Sequence, residues 1–272
     1  LHRRRHSFPT RRSSDLIVKL KLHNDTFSGV QASEILFDAA VQKQTDGLLL
    51  DGSAVTTGKM KVTGGAGQDQ ITGGAQDDSI QGGAGQDIII GGAGNDTIKG
   101  GLDADQLTGG SGNDIFQFDF GIPRTESSPT TIDVITDFND GDKLDLPGLN
   151  QFSNNLPLVF NQVQNNFNYI GGSSGLQPNS NAGDGLADVF WRYNSTAGRM
   201  ELWVDGNDDG QFSEVDMLIH INSTTGKTSL IQSDFVENFF VIRGTTNADN
   251  LTGNTTRSEE RRVGKECLRL CR

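Results

Sequence analysis

Between residues 64 and 117 the chain repeats every nine residues, and that period limits what it can fold into. GGAGQDQIT begins at Gly64, GGAQDDSIQ at Gly73, GGAGQDIII at Gly82, GGAGNDTIK at Gly91, GGLDADQLT at Gly100 and GGSGNDIFQ at Gly109. Position six is always aspartate: Asp69, Asp78, Asp87, Asp96, Asp105 and Asp114. Position eight is always large and apolar: Ile71, Ile80, Ile89, Ile98, Leu107 and Phe116. A tandem repeat of fixed short period marks a stacked solenoid whose units share one core. The last three residues of each nonamer suit a short strand, with the middle side chain inward and its neighbours outward. Glycine at positions one, two and four permits positive φ and exposes carbonyl oxygens. Each nonamer therefore reads as a turn followed by a strand.

One buried apolar side chain per nine residues offsets little of the entropy lost in ordering a glycine-rich backbone. Aspartates stacked one sheet spacing apart, about 4.8 Å, also repel each other. A hard cation that takes six to eight oxygen ligands turns that repulsion into binding, and its binding energy becomes folding energy. The candidate metal ligands are the six position-six aspartates. With them come backbone carbonyls at positions two and four: Gly65, Gly67, Gly74, Gly83, Gly85, Gly92, Gly94, Gly101, Gly110 and Gly112. Gln76 replaces glycine at position four of the second nonamer, and glutamine is strained at positive φ, so a looser turn is expected there. Asp103 holds the same place in the fifth, tolerates positive φ better, and adds a possible ligand.

The repeat G-G-x-G-x-D-x-U-x resembles that of the RTX family of secreted bacterial proteins. The resemblance implies an all-β fold, a right-handed parallel β-roll with two nonamers per coil and Ca2+ between stacked turns. Turns alternate between the two sides, so it pairs Asp69 with Asp87, Asp78 with Asp96, Asp87 with Asp105, and Asp96 with Asp114. It also implies secretion through a type I channel and a place outside the cell or on its surface. TIDVITDFNDGDKLDL, residues 131–146, resembles the segment that closes the roll in serralysin-type C-terminal domains.

The two ends read as artefacts. Residues 6–16, HSFPTRRSSDL, can be coded by a DNA string whose reverse complement translates as RSEERRVGKE, residues 257–266. That string resembles a sequencing adapter, so residues 1–16 and 257–272 are set aside. The whole chain has 23 Lys+Arg against 35 Asp+Glu, net −12. Without the ends, 12 basic residues face 31 acidic ones, net −19, and 26 of those acids are aspartate. Such an excess of short carboxylates suits hard-cation ligation. The acidic balance disfavours nucleic acid and anionic membranes as partners. Cys267 and Cys271 both fall in the excluded tail, which argues against a disulfide scaffold or a cysteine zinc site. No apolar run is long enough to span a bilayer as a helix.

Residues 17–63 read as an irregular β lead-in or cap, with a possible short helix near residues 32–41. The array is 64–117, the roll-closing segment 118–147, and a small antiparallel β unit 148–243. GTTNADNLTGN places Asp249 and Leu251 at positions six and eight, so a second array begins at 244–256. Inside the antiparallel unit, DGNDDGQFSEVD follows the EF-hand loop pattern between strand-like flanks. Asp205, Asn207, Asp209, Gln211 and Asp216 are its candidate ligands, with Ser213 acting through water. Position twelve is aspartate rather than glutamate, and an acidic hairpin turn is the alternative. Asp184 with Asp188, and Asp133, Asp137, Asp142 and Asp145, read equally well as ligands or as solvated turns and caps.

Enzyme signatures are nearly absent. GGSSG at 171–175 matches G-x-S-x-G literally but leads into a loop, and GKT at 226–228 lacks the upstream glycine of a phosphate loop. Two functions remain. One is a calcium-binding structural segment of a large secreted or surface RTX protein, adhesin or surface-layer-like. The other is the C-terminal calcium module of a secreted enzyme, such as a serralysin-like protease or a lipase.

Overall fold

The nine-residue period becomes a stack of short parallel strands. The computed structural model describes residues 18–23, 34–39, 47–119, 126–147, 158–162, 188–205, 216–236 and 240–241, all within one unit, Leu1–Val241. In chain order the strands are β1 Val18–His23, β2 Glu34–Asp38, β3 Leu48–Ala54, β4 Lys59–Gly65, β5 Gln70–Thr72 and β6 Ser79–Ala84. β7 Ile88–Ala93, β8 Thr97–Leu102, β9 Gln106–Ser111, β10 Ile115–Gln117, β11 Asp133–Ile135 and β12 Lys143–Asp145 follow. Then come β13 Leu158–Gln162, β14 Asp188–Asn194, β15 Arg199–Asp205, β16 Met217–Ile221 and β17 Phe240–Val241. The described residues contain no α-helix, and a 3-10 turn spans Gln232–Asp234.

From β1 to β12 successive strands alternate between two sheets, and each of β1 to β10 pairs in parallel with the strand two places along. One sheet runs β12-β10-β8-β6-β4-β2, the other β1-β3-β5-β7-β9-β11-β16-β15-β14-β13-β17. The fold is thus a parallel β-roll. The position-eight side chains form one column per sheet. Leu50, Ile71, Ile89, Leu107, Ile135 and Ile221 stack in one, and Phe37, Val62, Ile80, Ile98, Phe116 and Leu144 in the other. These two columns meet as the core, and all but the half-buried Phe37 are buried.

Both ends of the period reach beyond the glycine repeats. Residues 17–63 supply four rungs, β1 to β4, in register with the array. The helix expected near residues 32–41 is instead strand β2, because Phe37 extends the apolar column beside Val62. Ladder pairing overrides a weak local helical pattern here. Beyond the array, 128–136 and 137–145 are two further nonamers without the paired glycines. Asp133 and Asp142 stand at position six, and Ile135 and Leu144 at position eight.

The antiparallel strands β14, β15 and β16 join the larger sheet edge-on, since β16 pairs in parallel with β11. β13 pairs in parallel with β14 on one side and with β17 on the other. The smaller sheet ends under residues 230–236. Phe235 bridges Leu144, and the Val236 amide donates to the Leu144 carbonyl at 2.9 Å. The expected second array at 244–256 lies outside the described residues.

Candidate metal centre

The turns between strands are shaped by backbone angles that side chains seldom allow. Position two has positive φ in the third to sixth nonamers: 124° at Gly83, 117° at Gly92, 116° at Gly101 and 106° at Gly110. Position four has it at Gly85, Gly94 and Gly112, and Asp103 adopts 80° in the glycine's place. Gly110 shows why no side chain fits: a Cβ there would run into the Gly92 carbonyl of the turn beneath.

Gln76 does not take the strained conformation expected of it. Neither it nor Gly65, Gly67 or Gly74 has positive φ. Its amide instead donates to the Thr56 carbonyl at 3.2 Å and the Ala75 carbonyl at 3.0 Å. The first two turns thus share a path outside the left-handed region, the first with glycine at both positions, and Gln76 is accommodated there without the strain it would meet at positive φ.

The aspartates stack along the two edges of the roll. On one edge the amides of Leu48, Asp69, Asp87 and Asp105 donate to Oδ1 of Asp69, Asp87, Asp105 and Asp133 at 2.7, 2.8, 2.8 and 2.8 Å. On the other the amides of Met60, Asp78, Asp96 and Asp114 donate to Oδ1 of Asp78, Asp96, Asp114 and Asp142 at 2.7, 2.7, 2.8 and 3.0 Å. Each position-six carboxylate is thereby anchored to the turn one coil before it. All eight of these aspartates are buried.

Anchoring uses only one oxygen. Oδ2 of Asp69, Asp87, Asp96, Asp105, Asp114 and Asp133 is buried with no hydrogen-bond partner. These oxygens point towards other acceptors. A Cβ on Gly64 would strike both Asp69 Oδ2 and the Gly82 carbonyl oxygen. Gly82 stands in the same relation to Asp87 and Gly100, and Gly91 to Asp96 and Gly109. Carboxylate and carbonyl oxygens that converge in a buried place, with no donor between them, need a cation. The sites therefore combine one or two carboxylates with main-chain oxygens; among the described residues no three Asp, Glu, His or Cys side chains cluster as a metal site.

The electrostatics agree. Burial is the main cause that pushes the Asp87 carboxyl up to about 8, Asp96 and Asp105 to about 7, and Asp114 to about 6. Asp69 and Asp78 are raised for the same reason. For Asp87 the neighbouring carboxylates of Asp105 and Asp69 add to the shift. Without a counter-charge Asp87, Asp96 and Asp105 hold protons into the neutral range.

Three aspartates differ. Asp78 has its Oδ2 closed by the Gly74 amide at 2.6 Å, inside the second turn. Asp142 has its Oδ2 closed by the Asn139 amide at 2.7 Å. Asp137 takes the Gly109 amide on Oδ1 at 2.9 Å and the Gly110 amide on Oδ2 at 2.8 Å, capping the last glycine turn. The sequence leaves Asp133 open, as a ligand or as a solvated turn or cap. Counting nonamers again after the interruption at 118–127 places it at position six. Of the EF-like loop, Asp205 lies on β15 opposite Asp188, and Asp216 is buried at the foot of β16. Asn207, Asp209, Gln211 and Ser213 lie outside the described residues.

No curated protein matches the chain. Two overlapping stretches, residues 63–98 and 81–116, match the profile of the RTX calcium-binding nonapeptide repeat, four copies. RTX nonapeptide repeats bind calcium ions, and the oxygen-only donor set of this ladder fits that hard cation. Residues 63–116 are thus an array of RTX calcium-binding nonapeptide repeats, a calcium-binding repeat segment within this chain.

Proposed function

We propose that this chain is a structural segment of a large secreted or cell-surface protein, adhesin or surface-layer-like, that folds outside the cell as calcium fills the ladder. The observation that carries the reading is the row of buried Oδ2 atoms that no donor reaches. Asp69, Asp87, Asp96, Asp105 and Asp114 hold the ions together with main-chain oxygens of the glycine turns. Their role is architectural, because each ion ties one coil to the next. An acidic, glycine-rich chain stays expanded where free calcium is scarce, as in bacterial cytosol, and so threads a type I secretion channel. Folding in calcium outside then opposes its return.

The EF-like loop adds a separate calcium site through Asp205, Asn207, Asp209, Gln211 and Asp216. A second reading places the segment at the C-terminus of a secreted enzyme. It is favoured by residues 128–145, which continue the roll past the glycine repeats, like a serralysin-type closing segment.

Circular dichroism of the chain in chelator, in millimolar calcium and in millimolar magnesium tests the main reading. Calcium should induce β-structure cooperatively and magnesium poorly, since magnesium demands octahedral geometry and gives up water reluctantly. Complete β-structure in chelator would show that the core suffices without the ion.

A further inference from the structure

The unbonded carboxylate oxygens are divided unequally between the two edges of the roll. One edge carries four in succession, on Asp69, Asp87, Asp105 and Asp133. The other carries two, on Asp96 and Asp114, between Asp78 and Asp142, whose second oxygens are closed by backbone amides.

Asp133 is outside the glycine repeats, in the nonamer 128–136, yet it is the most enclosed of the series, at 0% exposure. Its Oδ1 accepts the Asp105 amide at 2.8 Å, as each aspartate before it accepts from the previous coil. Its own amide donates to the Ser127 hydroxyl at 2.9 Å, and that hydroxyl donates to the Leu218 carbonyl at 2.6 Å. The backbone of Asp133 is thus held by Ser127 and its Oδ1 by Asp105. The Ser127 hydroxyl bears on the carboxyl but donates to Leu218, and Oδ2 is buried with no hydrogen-bond partner. Glu126, the other carboxylate that bears on it, has its own partner: Lys99 pairs with Glu126 at 3.0 Å and with Asp119. Glu126 is itself fully engaged, since its other oxygen accepts the Asp119 amide at 2.6 Å.

We propose that Asp133 is a calcium ligand, so that the ladder on this edge runs one step beyond the last glycine nonamer. The ion joins the fifth turn, through Asp105, to residues 128–136. The opposite edge ends at Asp114, because Asp142 closes its last rung with hydrogen bonds in place of metal. The chemistry is that of the array, hard oxygen donors around a divalent cation of calcium size. The inference rests on the calcium reading of the array and adds one ligand and one site to it.

Native mass spectrometry and equilibrium dialysis against calcium, on the full chain and on Asp133→Asn and Asp142→Asn, separate the two edges. Asparagine keeps the size and the Oδ1 acceptor. Asp133→Asn should bind one calcium fewer and Asp142→Asn the full number. An unchanged count for Asp133→Asn, or the loss of one from Asp142→Asn, overturns the proposal. If Asp133→Asn does not fold, anomalous scattering from crystals of the unaltered chain grown in calcium decides. A peak about 2.3–2.6 Å from Asp133 Oδ2 is expected. Its absence beside occupied sites at Asp87 and Asp105 overturns this inference alone, whereas no calcium anywhere overturns the array reading with it.

Discussion

The backbone amide of Asp69 donates to Oδ1 of Asp87 at 2.8 Å, across a separation of 18 residues. This bond fixes the carboxylate of one turn on the backbone of the turn below, and leaves Asp87 Oδ2 buried and unbonded. Asp78 has the same Oδ1 bond but a closed Oδ2. Asp87→Asn should therefore weaken calcium-dependent folding by about 1.5–3 kcal/mol, the range for a lost charged contact. Asp78→Asn should cost about 1 kcal/mol, the worth of an ordinary hydrogen bond. Calcium titrations followed by circular dichroism measure both, and equal effects would remove the distinction between them.

Gly110→Ala should cost more than the roughly 1–2 kcal/mol of a left-handed alanine, because its Cβ also meets the Gly92 carbonyl. Gly198 has a φ of 68° with open space around its Cβ position, so Gly198→Ala should show the conformational cost alone. Denaturation in saturating calcium compares the two. A Gly110→Ala variant no worse than Gly198→Ala would mean that the stacked turns are less tightly packed than they stand here.

Ile89 is fully buried, and its neighbours Ile88 and Ile90 are 40% and 38% exposed. Ile89→Ala should cost about 2–5 kcal/mol. Ile90→Ala should cost well under half of that, because more than a third of its surface is already in water and less apolar area is lost. Urea unfolding in calcium gives both values, and a reversed order would place the strand in the opposite register.

In the absence of calcium the raised carboxyls set the response to pH. Folded Asp87, Asp96 and Asp105 hold protons up to about 8, 7 and 7, while unfolded aspartate releases its proton near its ordinary value of 3.8. The folded state therefore binds more protons between these limits, and stability falls as pH rises. The contribution is fully present below about pH 4 and is lost as pH climbs through 7 to 8. A metal-free chain should hold more β-structure at pH 5 than at pH 8, and calcium binding at pH 7 should release protons. Dichroism in metal-stripped buffers and a pH-stat measure the two effects; greater β-structure at pH 8 would contradict the account.

Asp205→Ala combined with Asp209→Ala should remove one calcium while the array keeps its own. Isothermal titration counts the sites. An unchanged count returns residues 205–216 to a plain acidic hairpin turn.

The nine-residue period by itself determined the strands, the inward column at position eight and the stacking of position-six aspartates two nonamers apart. A repeat that buries one side chain per unit has few other ways to form a core. The tertiary structure decided what period cannot encode. Whether a carboxylate oxygen stays unbonded depends on which backbone amide the neighbouring coil or its own turn presents to it. Asp78 and Asp87 occupy the same repeat position, yet the second turn, which lacks the positive φ of the third, brings the Gly74 amide onto its aspartate, whereas the third leaves Asp87 Oδ2 unbonded. Asp133 joins the ladder because the interruption at 118–127 stretches its reach to Asp105 to 28 residues while preserving the phase. β2 forms beside β4 rather than as a helix, and β16 extends β11, because an unpaired sheet edge accepts whatever strand can satisfy its amides and carbonyls. Those choices rest on contacts between distant segments, and a local pattern carries no record of them.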